Sequence, residues 1–263
     1  MPLQSLPQYV DYLQSKGSYI LLRENAINTL GMSPLAFNMA VCRLTQKGRV
    51  MMVRQGFYAI VPLEYRNAGG IPASWFIDSL MQFHKQPYYV GLLSAAALHG
   101  AAHQQPQEFQ VVTNKVLRPI TVGRTQIRFF LKREINSPFV TKIKTMTGYM
   151  CVSIPELTAV DLLKYLDAAG QINNAATVIV ELAEKIDSKK LLAVVTKSEL
   201  PIVKRLGYLL DTFTHTELTK PLYEWFCRKK TTFSSLVSSR SNKNIVKNQK
   251  WKLFINEKIE IDE

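Results

Sequence analysis

Cysteine is scarce: Cys42, Cys151 and Cys227 stand far apart, and no two of them form a CxxC pair. That leaves no disulfide framework and none of the common zinc or redox motifs, and it fits free thiols in a reducing compartment. Long apolar runs are missing too. No stretch approaches the ~20 residues needed to cross a bilayer, so no membrane partner is expected. The opening, MPLQSLPQYVDYLQSKG, lacks a basic segment followed by an apolar one, so it does not read as a secretory signal and a cytoplasmic chain is expected. Neither a P-loop nor a GxGxxG pattern occurs, which removes the usual nucleotide cradles. Gly17 and Ser18 look like the start of a nucleotidyltransferase loop, but no paired aspartates follow to hold magnesium.

Histidine is also rare. His99 and His103 have the four-residue spacing at which two imidazoles share a helix face, yet Gly100 stands where a zincin carries its glutamate and would end the helix. No metal and no cofactor are expected, and no catalytic residue is assigned. A metal nuclease would want an acidic pair beside a lysine; near Thr113, Asn114 and Lys115 the acid is missing, which leaves Glu108, Glu156 and Asp161 as distant candidates. Acid is short throughout, with 20 aspartates and glutamates against 33 lysines and arginines, and the net charge of +13 attracts polyanions before any specific contact forms.

What is present begins with 263 residues, 47% of them hydrophobic, enough for two or three folded units. The spacing predicts a first helix from Pro7 to Lys16 closed by Gly17, and a second from Leu22 to Leu30 closed by Gly31. A third starts at once, with Ser33 as N-cap and Pro34 in the first helical position, and runs to Lys47 before Gly48. On it Phe37, Ala40, Val41 and Leu44 share an inward face, while Leu35, Asn38, Met39, Arg43 and Gln46 point away. Asn and Gln can bond adenine edges, Arg can bond guanine, and apolar groups can meet thymine methyls, so this face suits the major groove. It equally suits an ordinary solvated helix. The following segment favours the groove: Arg49 to Arg54 and Phe57 to Val61 read as strands joined at Gln55 and Gly56, so the order is that of a winged helix-turn-helix. Arg49, Arg54 and Gln55 would then lie on the wing, where backbone phosphate or the minor groove is reached. Winged helices that bind protein instead have the same order.

Residues 66 to 72 break both periodicities and read as a linker. Beyond it, Ser74 caps a helix carrying Trp75, Phe76, Leu80 and Phe83, a small-residue helix covers Leu92 to Leu98, strands fit Phe109 to Thr113, Thr125 to Leu131 and Gly148 to Val152, and a helix covers Leu157 to Tyr165. Arg118, Arg124 and Arg128 belong to the densest basic stretch of this part; Arg124, Gln126 and Arg128 alternate onto one sheet face, either a second phosphate surface or a merely soluble one. After Gly170 the pattern is helical to Lys229, and from Thr231 it turns to serine, lysine and asparagine before a strand-like alternation from Lys252 to Ile261. The expected fold class is α+β: residues 1–66 a winged helix-turn-helix, 67–168 a mixed α+β domain, and 169–263 a helical region with a basic tail.

Three strings carry a family likeness: GMSPLAFNMAVCRLTQKGRVMMVRQGFYAIVP, PYYVGLLSAAALHG and SIPELTAVDLLKY. In that order, from about Pro7 to Tyr165, they resemble the AbiEi antitoxins of bacterial type IV toxin–antitoxin systems, which join an N-terminal winged helix-turn-helix to a larger C-terminal part. The resemblance implies a non-enzymatic repressor of its own operon, bound to an inverted-repeat operator in double-stranded DNA. It also implies an antitoxin that counters a nucleotidyltransferase-type toxin without a stable complex. Ser33, Asn38, Met39, Arg43, Gln46 and Lys47 would carry the groove contacts. The competing readings are a stand-alone transcription factor with a ligand-sensing domain, and a cryptic nuclease.

Overall fold

The computed structural model describes residues 4–101, 106–135, 137–214, 217–241 and 245–261. Eleven α-helices and three sheets occur among them, a mixed α+β architecture. The chain packs into two compact units, the first made of 1–89, 107–135 and 142–151 and the second of 90–106, 136–141 and 152–263.

The first unit opens with α1 (Leu6–Ser15), β1 (Ile20–Leu22), α2 (Arg23–Leu30), α3 (Pro34–Gln46), β2 (Val50–Arg54) and β3 (Phe57–Ile60). The start of α3 is chemical: the Ser33 hydroxyl accepts from Ala36 N–H at 3.2 Å, and Pro34 follows at N1, where its missing donor costs nothing. Gly56 closes the β2–β3 turn at φ 85°, a conformation that favours glycine. Leu21, Phe37, Val41, Leu44, Val50 and Tyr58 lie in one core, where Phe37 meets Tyr58 edge-on at 5.8 Å. The sequence placed Leu22 at the head of a helix. Instead β1 pairs antiparallel with β3, Leu21 opposite Tyr58, so β3 is central in the order β1-β3-β2. Three apolar residues carry too little period to tell a strand from a helix start, and the pairing partner lies far along the chain.

A short helix, α4 (Leu63–Arg66), and a single 3-10 turn (Ala73–Trp75) lead to α5 (Ile77–Phe83). Trp75, Phe76 and Leu80 are buried as expected and Phe83 is exposed, but Ser74 and Trp75 lie in the 3-10 turn and α5 starts only at Ile77, so Ser74 does not cap it. A six-stranded sheet follows, built from β4 (Tyr88–Val90), β5 (Phe109–Thr113), β6 (Ile120–Val122), β7 (Thr125–Leu131), β8 (Val140–Thr145) and β9 (Gly148–Ser153) in the order β6-β7-β5-β4-β9-β8. β5 and β7 fall on the residues read as strands, and they pair in parallel. β6 forms a hairpin with β7 across Gly123 and Arg124. Val90, Val140, Thr141, Val152 and Ser153, at the ends of β4, β8 and β9, belong to the second unit.

That unit holds α6 (Leu92–Leu98), α7 (Pro155–Lys164), α8 (Gln171–Ala183), α9 (Ser188–Val195), α10 (Leu200–Phe213) and α11 (Lys220–Cys227), then a small sheet of β10 (Ser234–Ser235), β11 (Val246–Asn248) and β12 (Leu253–Ile255) in the order β10-β12-β11. The tail is bound to α10. Trp251 is wholly buried over Gly207, where a Cβ would stand 2.5 Å from the indole, and its Nε1 donates to Asp211 at 2.7 Å. Asp211 also pairs with Lys250 and accepts from Thr219. Beside them Lys204 donates to the Thr232 carbonyl and to Ser234 Oγ, while Arg205 donates to the Ser235 carbonyl at 3.3 Å and to Ser238 Oγ at 3.0 Å. Burial pushes both cations' pKa values down, Lys252 adding to the effect on Lys204.

Candidate nucleic-acid interface

The geometry of α3 separates its two faces cleanly. Phe37, Val41 and Leu44 are buried, whereas Ser33, Asn38, Met39, Arg43, Gln46 and Lys47 are exposed. Among the described residues, the side chains of Asn38, Arg43, Gln46 and Lys47 make no hydrogen bond or ion pair. Ser33 differs, because its hydroxyl is engaged as the helix cap. Leu35 at 70% and Met39 at 58% exposure give the same face an apolar element that nothing in the first unit's core uses. An amide, a guanidinium, an ammonium and two apolar groups thus project together from one rigid helix, a set able to read base edges and thymine methyls.

The hairpin is different. Arg49 forms an ion pair with Asp11 of α1. Arg54 turns its guanidinium onto the backbone, donating to the Arg118 carbonyl and, at 3.4 Å, to that of Pro119. Burial and then the neighbouring Arg118 charge hold the Arg54 pKa below its ordinary value, and Arg54 in turn adds to the burial that lowers the pKa of His84. Gln55, at the tip, is exposed. Neither Asp11 nor the 118–119 backbone could be matched to these arginines from sequence, since the partners lie 38 and 64 residues away.

On the larger sheet Gln126 and Arg128 alternate onto the exposed side, while Arg124 sits in the turn before β7 with its stem packed along Gly69. Arg128 pairs with Glu108 at 3.5 Å and lies 5.3 Å from the Phe130 ring centre. Arg118 is exposed. His99 Nε2 bonds the Ser153 carbonyl at 2.7 Å, and His103, the other half of the spaced pair, falls outside the described residues. Glu156 is buried and accepts from Asp187 N–H at 2.8 Å, tying α7 to the start of α9, and Asp161 is buried in α7. Among the described residues no group of three or more His, Cys, Asp or Glu side chains is placed to hold a metal ion, and no helix is long and apolar enough to cross a membrane.

The fold is shared with the RV2827C protein from Mycobacterium tuberculosis, whose crystal structure superposes with a TM-score of 0.69 at 13% identity, over 94% of this chain and 89% of that one. At that identity the likeness is one of fold alone. No curated protein matches the sequence. Residues 89–212 match the family model of the AbiEi antitoxin C-terminal domain. That match supports an antitoxin of the AbiEi type, and the AbiEi antitoxins are not an enzyme family. The match runs past Tyr165, where the resemblance read from the strings ended, through α8, α9 and nearly all of α10.

Proposed function

We propose that the chain is a DNA-binding antitoxin in which residues 1–66 form a winged helix-turn-helix with α3 in the major groove. Residues 67–168 and the helical region to 263 serve neutralisation. The observation that carries the DNA reading is the unpartnered outer face of α3, where Asn38, Arg43 and Gln46 are available to base edges on a helix fixed from beneath by Phe37, Val41 and Leu44. The order α1-β1-α2-α3-β2-β3, with β3 in the centre of its sheet, supports the winged helix. The match to the AbiEi domain supports the antitoxin role. The resemblance supplies the rest: the chain represses its own operon at an inverted-repeat operator and counters a nucleotidyltransferase-type toxin without a stable complex.

Binding of the purified chain to duplex from upstream of its own gene, against a scrambled duplex of equal length, tests the DNA reading. Preference for the upstream sequence that Arg43→Ala weakens is expected. Equal binding of both duplexes by the wild type would sink it. Rescue of growth from a toxin encoded beside the gene tests neutralisation separately.

A second reading, a regulator gated by a small molecule, rests on a pocket of about 420 Å³ in the first unit, lined by Tyr9, Asn25, Phe57, Ser79, Gln82 and Phe83 among others. That volume is in the range of small-ligand sites, and its lining carries no formal charge.

A further inference from the structure

The chain between residues 220 and 258 holds ten lysines and arginines against two acids, Glu224 and Glu257, and it lies beyond the segment matched by the antitoxin domain. Glu257 is taken by Arg240 at 2.9 Å, and Lys250 is taken by Asp211. Lys220, Arg228, Lys230 and Lys247 have no carboxylate partner among the described residues. A field of this density draws polyanions.

The small β10-β12-β11 sheet gives that charge a shape. Leu253 is wholly buried, so its strand neighbour Phe254 faces the other way. Lys247 on β11 is the cross-strand partner of Phe254, and Ser235 on β10 flanks it on the other side. Phe233 joins Phe254 with ring centres 5.2 Å apart at 40°. The Lys247 ammonium stands 5.9 Å from the Phe233 ring centre and 5.7 Å from that of Phe254. Lys252 is held by the Thr231 carbonyl at 3.2 Å, two residues from Phe233. Both phenylalanines are only half-buried and Lys247 is exposed. Two accessible rings with cations beside them, on a surface short of acid, match a base and its flanking phosphates. Bases within a duplex are stacked on one another and cannot reach such rings; unpaired ones can.

We propose that the outer face of this sheet binds single-stranded nucleic acid, a base stacking on Phe254 and Phe233 while Lys247 holds an adjacent phosphate. The site is separate from α3, and its success or failure leaves the duplex reading untouched.

Fluorescence anisotropy of the full chain with labelled oligouridylate and oligothymidylate of about 12 nucleotides tests it. Saturable binding of at least one strand is expected, and comparison of the two tells RNA from DNA. Phe254→Leu, which keeps an apolar side chain but removes the π face, should weaken binding roughly tenfold. Lys247→Gln, at an exposed position that leaves the fold intact, should lower the slope of log K against log salt by about 0.7. Arg43→Ala should weaken upstream duplex and leave single strands unchanged. Thermal melting checks the Phe254 variant, and if it is unfolded, the Lys247 slope decides. Wild-type affinity and slope in both variants would overturn the proposal, as would failure of the wild type to bind either strand. Loss of single-strand binding in Arg43→Ala would overturn it by moving the site to α3. Binding of poly-glutamate in place of the oligonucleotides would overturn it in favour of an acidic protein partner.

Discussion

The third helix and the hairpin that follows it look alike in sequence, each offering cations and amides at positions suited to DNA, yet the structure treats them differently. On α3, Arg43 and Lys47 have no partner among the described residues, and beside them Asn38 and Gln46 are equally free. In the hairpin, Arg49 is tied to Asp11, and Arg54 to the carbonyls of Arg118 and Pro119. A cation in the right place is therefore not the same as a cation at liberty. A guanidinium already satisfied by protein must give up those bonds before it meets a phosphate, and the two hydrogen-bonding terms nearly cancel. Under the proposed reading, specificity belongs to α3, and the hairpin acts chiefly by holding its own place.

The comparison breaks most sharply at the core that supports the free face. Phe37→Ala removes a wholly buried ring, and a loss of ~3–5 kcal/mol in denaturant-melting stability is expected, with DNA binding lost along with the fold. Next comes Arg43→Ala. On upstream duplex it should lower affinity by ~1–3 kcal/mol and relax one position of the site while the melting temperature holds; an unchanged affinity would take Arg43 out of the reading surface. Arg54→Ala should show the opposite pattern, a stability loss of ~1 kcal/mol with the salt slope of binding nearly unaltered. A slope lower by about one would mean that Arg54 leaves the 118–119 backbone for a phosphate.

Two smaller effects sharpen the contrast. Asp11→Asn frees Arg49 at a cost of ~0.5 kcal/mol, since the aspartate of the pair is largely exposed, and the liberated guanidinium should steepen the salt slope by about 0.9 if the hairpin lies beside DNA. The last is a titration. Burial, then the charge of Arg54, hold His84 below its usual 6.5. The fold thus prefers the neutral ring, so this contribution to stability is complete above 6.5 and is lost as pH falls toward the lower folded value. In Arg54→Ala the His84 pKa should rise in an NMR titration, and a value equal to the wild type's would show that the guanidinium does not sit beside the ring.

Where one residue type determines the local conformation, the sequence was readable. Ser33 and Pro34 set the start of α3, Gly56 the hairpin turn, and the Val- and Phe-rich runs of β5 and β7 lie at the expected residues. The short strands β1, β4 and β6 are not legible because three residues hold no period; β1 and β4 become strands only through distant partners, and β6 through its hairpin with β7. β8 is hidden for another reason: Lys142 and Lys144 give VTKIKT a basic cast, although alternation is what an edge strand with one solvated face carries. The tail illustrates the same limit. Its serine, lysine and asparagine content names no partner, yet Trp251 and Leu253 are buried against residues that no local rule could supply. The free outer face of α3 was legible as a pattern. The engagement of Arg49 and Arg54 was not, because it depends on Asp11 and on two backbone carbonyls brought near by the fold.

The seat of Trp251 on Gly207 also sets an order of events during synthesis. Helix α10 leaves the ribosome with a vacant glycine notch and with Lys204 and Arg205 still lacking the 232–238 segment to which they donate. At roughly 5–20 residues per second, seconds pass before Trp251 is made, and release from the ribosome comes later still. Residues 1–66, with α3, have emerged long before that. The growing chain thus presents its candidate DNA-reading helix while the second unit is unfinished, and premature termination between α10 and Trp251 would yield a product with the Gly207 notch uncovered, a ready substrate for chaperones and proteases.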